Sequence, residues 1–225
     1  MEAKKLAAEK AVEFIESGMV VGLGTGSTAN YAIKKIGERV KEGLKITTVA
    51  SSGQSEDLAQ ESGIPMTTFS EIQGIDIYLD GADMVDKNSN LIKGGGGALL
   101  REKILAAHSK QFYVMVDESK LVETLGHFPL PVEITPFAST FTINKIERLG
   151  CIAKIRQMNN EDFITENGNL VVDCKFQQIA DPAILNIQLH LIPGVVETGL
   201  LLNTMVSSVI VGYKNGTVKE IKREG

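Results

Sequence analysis

The sequence predicts an α/β protein in two parts: a Rossmann-like, doubly wound sheet domain and a smaller α+β domain in the ferredoxin-like order β-α-β-β-α-β. Three observations carry this. Short apolar runs alternate with helix-period segments through the first half of the chain, which implies a parallel sheet covered on both faces. Pro129 and Pro131 interrupt that alternation. Beyond them the periodicities change order. A length of 225 residues accommodates one large domain or two unequal ones. The boundaries are expected at residues 1–127 with 206–225 for the first domain and 128–205 for the second.

Ala8, Ala11, Val12 and Ile15 keep the spacing of one helix face, and Gly18 follows where a left-handed cap is wanted. Residues 19–23 form an apolar run suited to a buried strand, and after a glycine turn Ala29, Ile33, Ile36 and Val40 restore helical spacing. The alternation continues with a strand at 44–50, a helix at 55–62, a strand at 75–79 broken only by Asp76, a helix at 98–108 and a strand at 112–116. Prolines two apart are expected in neither a helix interior nor a central strand, so the domain boundary is placed there. Downstream come a strand (132–135), helix (138–149), strand (151–156), strand (170–175), helix (182–189) and strand (195–201). Residues 206–213 read as a strand, and Asn215-Gly216 as a hairpin turn that returns the chain to the first sheet.

Composition excludes several classes. Lysine and arginine total 23 against 28 acids, a net charge of −5 with no basic block, so no nucleic-acid surface is advertised and an anionic ligand needs a local device. Cys151 and Cys174 form neither a CxxC pair nor a cluster with histidine, which argues against zinc or a disulfide scaffold and for a reducing compartment. His108, His127 and His190 stand apart from every motif. The charged N-terminus lacks the apolar core of a signal peptide. The uncharged stretch between Glu197 and Lys214 carries Asn203, Thr204, Ser207 and Ser208, too polar for a membrane span. A soluble, cytoplasmic protein without a membrane partner is expected.

Chemistry concentrates in three segments. Gly22-Leu23-Gly24-Thr25-Gly26-Ser27-Thr28-Ala29 joins a strand to a helix, where backbone N–H groups, hydroxyls and the helix N-terminus suit a phosphate. Gly24, Gly26 and Ala29 also satisfy the loose dinucleotide pattern, although Ser51-Ser52-Gly53 stands where its acid belongs, and a plain helix-capping turn is a third reading. Asp80-Gly81-Ala82-Asp83 follows a buried strand, at the end where α/β sheets bind ligands; the two acids equally suit a turn. Lys93-Gly94-Gly95-Gly96-Gly97 leads into a helix carrying Arg101-Glu102-Lys103. Successive glycines cost chain entropy, which favours close backbone approach to a ligand over a linker. A glutamate between two cations is ordinarily a solvated helix charge.

Together with Asp117-Glu118-Ser119-Lys120 and Phe128-Pro129-Leu130-Pro131-Val132-Glu133, these motifs occur in the order and approximate spacing of type A ribose-5-phosphate isomerases, which the chain resembles over nearly its whole length. The resemblance implies interconversion of ribose 5-phosphate and ribulose 5-phosphate through an enediol or enediolate, as in the non-oxidative pentose phosphate pathway. It implies Glu102 as the proton-transferring base, and Asp80, Asp83 and Lys93 as the polar group around the sugar. Thr25, Gly26, Ser27, Thr28, Gly81, Ala82, Gly94, Gly95, Gly96 and Lys120 join the substrate contacts, with Lys4 or Lys5 at the phosphate. No metal or cofactor is expected, and a homodimer or dimer of dimers is. Met84, Gly97 and Leu100 depart from residues common in that family. The rival readings are a non-catalytic sugar-phosphate sensor and a nicotinamide-dependent oxidoreductase.

Overall fold

The computed structural model describes residues 2–222. Its first elements are α1 (Glu2–Val12), β1 (Val20–Leu23), α2 (Ser27–Lys41), β2 (Thr47–Ala50), α3 (Gly53–Glu61), β3 (Ile75–Gly81), β4 (Met84–Asp86), β5 (Leu91–Ile92), α4 (Leu99–Ala107), β6 (Ser109–Asp117) and β7 (Leu121–Val122). Then follow β8 (Leu130–Ile134), α5 (Ser139–Glu147), β9 (Ile152–Ile155), β10 (Gln157–Met158), β11 (Glu161–Asp162), β12 (Leu170–Lys175), α6 (Pro182–His190), β13 (Val195–Thr198), β14 (Leu200–Leu201), β15 (Ser208–Gly212) and β16 (Val218–Lys222). The chain divides into two compact units, one of Met1–Ala82, Arg101–Leu121 and Thr204–Gly225, the other of Asp83–Leu100 and Val122–Asn203. Asp83–Leu100 thus groups with the second unit, whereas the sequence suggested the first.

In the first unit a six-stranded sheet runs β16-β15-β6-β3-β1-β2, with every neighbouring pair parallel except β15 and β16. From β1 the chain steps outward to β2 and then back across to β3. Strand order therefore reverses between β1 and β3, the place where open α/β sheets bind ligands beyond their carboxyl ends. Gly24 and Asp80 stand at those ends. The core joins Ala7, Ala8, Ala11 and Val12 of α1 to Ile33 and Ile36 of α2 and to Val21, Leu23, Leu79 and Met115 of the sheet. Fully burying one Val, Leu or Ile side chain contributes about 1.5–3 kcal/mol. Helix α1 ends at Val12, before the expected cap at Gly18, yet Ile15 remains buried. As expected, β15 and β16 return to this sheet across the Asn215-Gly216 turn.

The second unit has an antiparallel sheet in the order β13-β8-β12-β9. Its core packs Val132, Ile134 and Val172 with Ile146 of α5 and Leu185 and Leu189 of α6. Strand β8 is central and contains Pro131, against the expectation that no central strand would carry it. The reason is geometric. A strand residue points its N and its C=O to the same side, and the Pro131 carbonyl accepts from the Gly199 N–H at 2.7 Å, beyond the last β13 pair at Thr198 and Val132. The missing N–H therefore faces Gly199, whose carbonyl accepts instead from the Lys93 N–H at 2.8 Å, so that carbonyl keeps a donor. The expected strand at 195–201 is split, with β13 in this sheet and β14 paired with β5. Gly199 sits at the change of partner, where a Cβ would lie 2.3 Å from the Lys93 carbonyl oxygen. Among the described residues, no helix is long and apolar enough to cross a membrane.

Candidate active site

In the first unit the loop after β1 wraps the side chain at the end of β3. Asp80 is fully buried. Its Oδ1 accepts from the Thr25 N–H at 3.1 Å and the Gly81 N–H at 2.7 Å, and its Oδ2 from the Tyr78 hydroxyl at 2.5 Å. A Cβ on Gly24 would lie 2.2 Å from the Asp80 Cγ, so only glycine lets the loop approach this closely. Gly26 precedes α2 with φ 110°, and the helix has no side-chain cap, in contrast to α3 and α6, which Ser52 and Asp181 cap. The first N–H groups of α2 are left for another acceptor.

The hydroxyls of this loop divide by role. The Thr25 Oγ1 turns inward to Ser51 Oγ at 2.8 Å and Ser52 Oγ at 2.7 Å, while Ser55 Oγ donates to the Gly24 carbonyl at 2.7 Å. The serines that stand where a dinucleotide site needs its acid thus brace the glycine loop. Ser27 Oγ accepts from Lys4 Nζ at 3.1 Å, and Thr28 is nearly buried. Lys5, which the sequence left equal to Lys4, pairs instead with Glu9 at 3.8 Å on the exposed face of α1. At the end of β6, burial alone would raise the Asp117 carboxyl, but the Ser119 hydroxyl and N–H, with the charges of Lys4 and Lys120, hold it below its usual range.

Glu102 is 2% exposed and lies in the first turn of α4, where the partial positive charge of the helix N-terminus favours a carboxylate. Burial first, then the charges of Asp80 and Glu102, push the Tyr78 phenol well above its ordinary range, so it remains a donor. Hydrogen bonds thus join Thr25, Tyr78 and Asp80, and the charge of Glu102 acts on the Tyr78 phenol. Tyr78, Ser51, Ser52 and Ser55 were missed as site residues. The signal for Tyr78 was its place two residues before Asp80, on the same strand face.

In the second unit Lys93 is 3% exposed, and its N–H donates to the Gly199 carbonyl at 2.8 Å. Gly94 and Gly97 have φ of 94° and 85° and close a turn through the Gly97 N–H and Gly94 carbonyl at 2.9 Å. Asp83 joins this turn: its Oδ2 accepts from the Gly95 N–H at 2.7 Å, and a Cβ on Gly95 would lie 2.6 Å from its Oδ1. Gly95 and Gly96 are exposed, and Ala82 is half-buried. No cluster of three or more histidine, cysteine or acidic side chains suited to a metal occurs among the described residues.

A family model described as ribose 5-phosphate isomerase A (phosphoriboisomerase A) matches residues 47–216. Ribose-5-phosphate isomerase A of Bacillus cereus is 54% identical over 217 residues, covering 96% of this chain and 98% of that protein. Ribose-5-phosphate isomerase A 1 of Oceanobacillus iheyensis is 49% identical over 213 residues, covering 94% and 95%. Among solved structures, a D-ribose-5-phosphate isomerase in complex with phospho-erythronic acid matches with a TM-score of 0.93 at 43% identity, covering 98% of this chain and 97% of that one. The Plasmodium falciparum ribose 5-phosphate isomerase matches with a TM-score of 0.94 at 38% identity, covering 99% and 98%. With this likeness running the length of the chain, and the glycine loop closed on Asp80 at the sheet's switch point, the chain belongs to the ribose 5-phosphate isomerase A family, enzymes that interconvert ribose 5-phosphate and ribulose 5-phosphate.

Proposed function

We propose that Glu102 is the base of this isomerisation. It takes the C2 proton of the open-chain aldose and returns it to C1, while a second proton passes between O1 and O2. The observation that carries this is a buried glutamate in the first turn of α4 whose charge acts on the Tyr78 phenol, the hydroxyl that donates to Asp80 near the carboxyl end of β3. Positioned acid–base catalysis contributes about 10²–10⁴ in rate, so stabilisation of the oxyanion must supply the rest. Lys93 and backbone N–H groups of the glycine turn are the donors assigned to that charge. Asp80 and Asp83 are assigned to the sugar hydroxyls and to ring opening. Lys4, Ser27, Thr28 and Lys120 are assigned to the phosphate, supported by the Lys4–Ser27 hydrogen bond and by the shared effect of both lysines on Asp117. A solved relative captured with phospho-erythronic acid supports a phosphorylated sugar chain as the ligand.

The test is proton exchange. In deuterated water, Glu102→Gln is expected to bind ribose 5-phosphate as the parent does while losing at least about 10²-fold in turnover and in exchange at C1 and C2. Near-normal turnover would move the base elsewhere.

The finer architecture follows the same reading: a Rossmann-like first domain and a ferredoxin-like second one, supported by the order β13-β8-β12-β9 for a β-α-β-β-α-β succession. Assembly as a homodimer or dimer of dimers is supported by exposed Phe137, Phe141, Ile187 and Leu191, and sedimentation equilibrium tests it. Two cysteines free of any disulfide support a cytoplasmic location.

A further inference from the structure

The geometry points to Arg156 as a positioning residue that sets the direction of the N–H groups in the Gly94–Gly97 turn, a role resting on the proposed assignment of that turn to the sugar. Arg156 follows β9 and belongs to none of the motifs above. Its Nε donates to Asp173 Oδ2 at 3.0 Å and one Nη to Oδ1, a two-pronged pair anchored in β12. The other Nη donates to two successive carbonyls, Gly94 at 2.9 Å and Gly95 at 3.0 Å. The guanidinium carbon lies 5.9 Å from the centre of the Phe163 ring. That ring fills the space a Cβ on Gly97 would enter, 2.3 Å from its Cζ.

The consequence comes from peptide geometry. In a planar trans peptide the C=O and the following N–H point in opposite directions. No peptide bond among the described residues is cis. Holding the Gly94 carbonyl therefore turns the Gly95 N–H away from the guanidinium, and that N–H meets Asp83 Oδ2 at 2.7 Å. Holding the Gly95 carbonyl turns the Gly96 N–H the same way, on the exposed part of the turn. One cation thus aims two consecutive donors, the first anchoring Asp83 and the second presented outward. Four glycines in a row have no side chains to set their peptide planes, so a fixed donor for an oxyanion needs an outside anchor of this kind. Lysine, a point charge on a flexible stem, has no planar fork to satisfy Asp173 and both carbonyls together.

The test compares Arg156→Lys, Arg156→Met, Arg156→Ala and Asp173→Asn in the full chain, with folding followed by circular dichroism. Both Arg156→Lys and Arg156→Met are expected to lower kcat on the order of 10²-fold while KM for ribose 5-phosphate changes little, because a displaced donor is felt in the transition state. Asp173→Asn is expected to follow in the same direction. Added guanidinium ion at sub-denaturing concentration should restore much of the kcat of Arg156→Ala, whereas ethylammonium should not. Wild-type kcat in folded Arg156→Lys, or no rescue of folded Arg156→Ala by guanidinium, overturns the role. Should Arg156→Met and Arg156→Ala not fold, Arg156→Lys and Asp173→Asn decide by the same kcat criterion. Lys93→Ala keeps the two readings apart. If it loses turnover while the Arg156 variants do not, the positioning role alone fails; if it too is unchanged, the turn has no part in the reaction.

Discussion

Asp80 accepts from the Tyr78 hydroxyl and from the N–H groups of Thr25 and Gly81. Tyr78→Phe keeps the ring that stacks on Phe112 at 4.9 Å between centroids and deletes the hydroxyl. A hydrogen bond to a charged group is worth about 1.5–3 kcal/mol. The expected outcome is a stability loss of about 2 kcal/mol in urea titration, with kcat falling by a larger factor than KM rises. An unmoved urea midpoint with unchanged kinetics would remove the Tyr78 hydroxyl from both tasks.

At the scale of elements, α1 shows how a helix separates neighbours in sequence. Successive residues lie about 100° apart around the axis, so Lys4 faces Ser27 while Lys5 pairs with Glu9 on the solvent side. Lys4→Ala is expected to raise KM for ribose 5-phosphate about tenfold, the equivalent of one charge-assisted contact, with Lys5→Ala within twofold of the parent. Equal effects from the two variants in steady-state kinetics would count against the assignment. At the other end of the sheet, Asp76 ties β3 to β1 and β6, accepting from Lys110 Nζ and from the Val20 N–H, each at 2.8 Å. Lys110 first, then that N–H, hold its carboxyl below the usual range against the opposing effect of burial. A depressed folded pKa contributes stability that is present above the unfolded value, about 3.9, and is lost as pH falls through the folded value. Asp76→Asn is therefore expected to lower the urea midpoint at neutral pH and to flatten its decline below about pH 4. Parallel acid limbs in parent and variant would contradict this.

For the molecule as a whole, a net charge of −5 means that a phosphate is held by local groups and not by the overall field. Unphosphorylated ribose forfeits the contacts assigned to Lys4, Ser27, Thr28 and Lys120. Losing two charge-assisted contacts of about 1.5–3 kcal/mol each lowers kcat/KM on the order of 10²-fold or more. The comparison belongs at fixed ionic strength, because salt screens part of the attraction. Similar kcat/KM values for ribose and ribose 5-phosphate would remove the glycine–hydroxyl loop as a phosphate site.

By itself the sequence determined what is local or repetitive. The spacing of Ala29, Ile33 and Ile36 prescribes the α2 face, the apolar runs prescribe β1 and β3, and the glycine turns with Asp80, Asp83, Lys93 and Glu102 are readable as motifs because each is contiguous. Tertiary structure decided whatever depends on a partner distant in the chain. Pro131 enters a central strand because the Gly199 carbonyl facing its missing N–H accepts from the Lys93 N–H instead. The short β4 and β5 carry too few residues for a periodicity and exist through pairing with each other and with β14. Thr25 looks like a ligand hydroxyl in the loop, yet Ser51 and Ser52, more than twenty residues on, claim it. Arg156 reads as one surface cation among many until folding brings it to the carbonyls of Gly94 and Gly95. A hydrogen bond between residues sixty positions apart leaves no periodic trace in a single sequence, and its direction is set by the strands that carry its two ends.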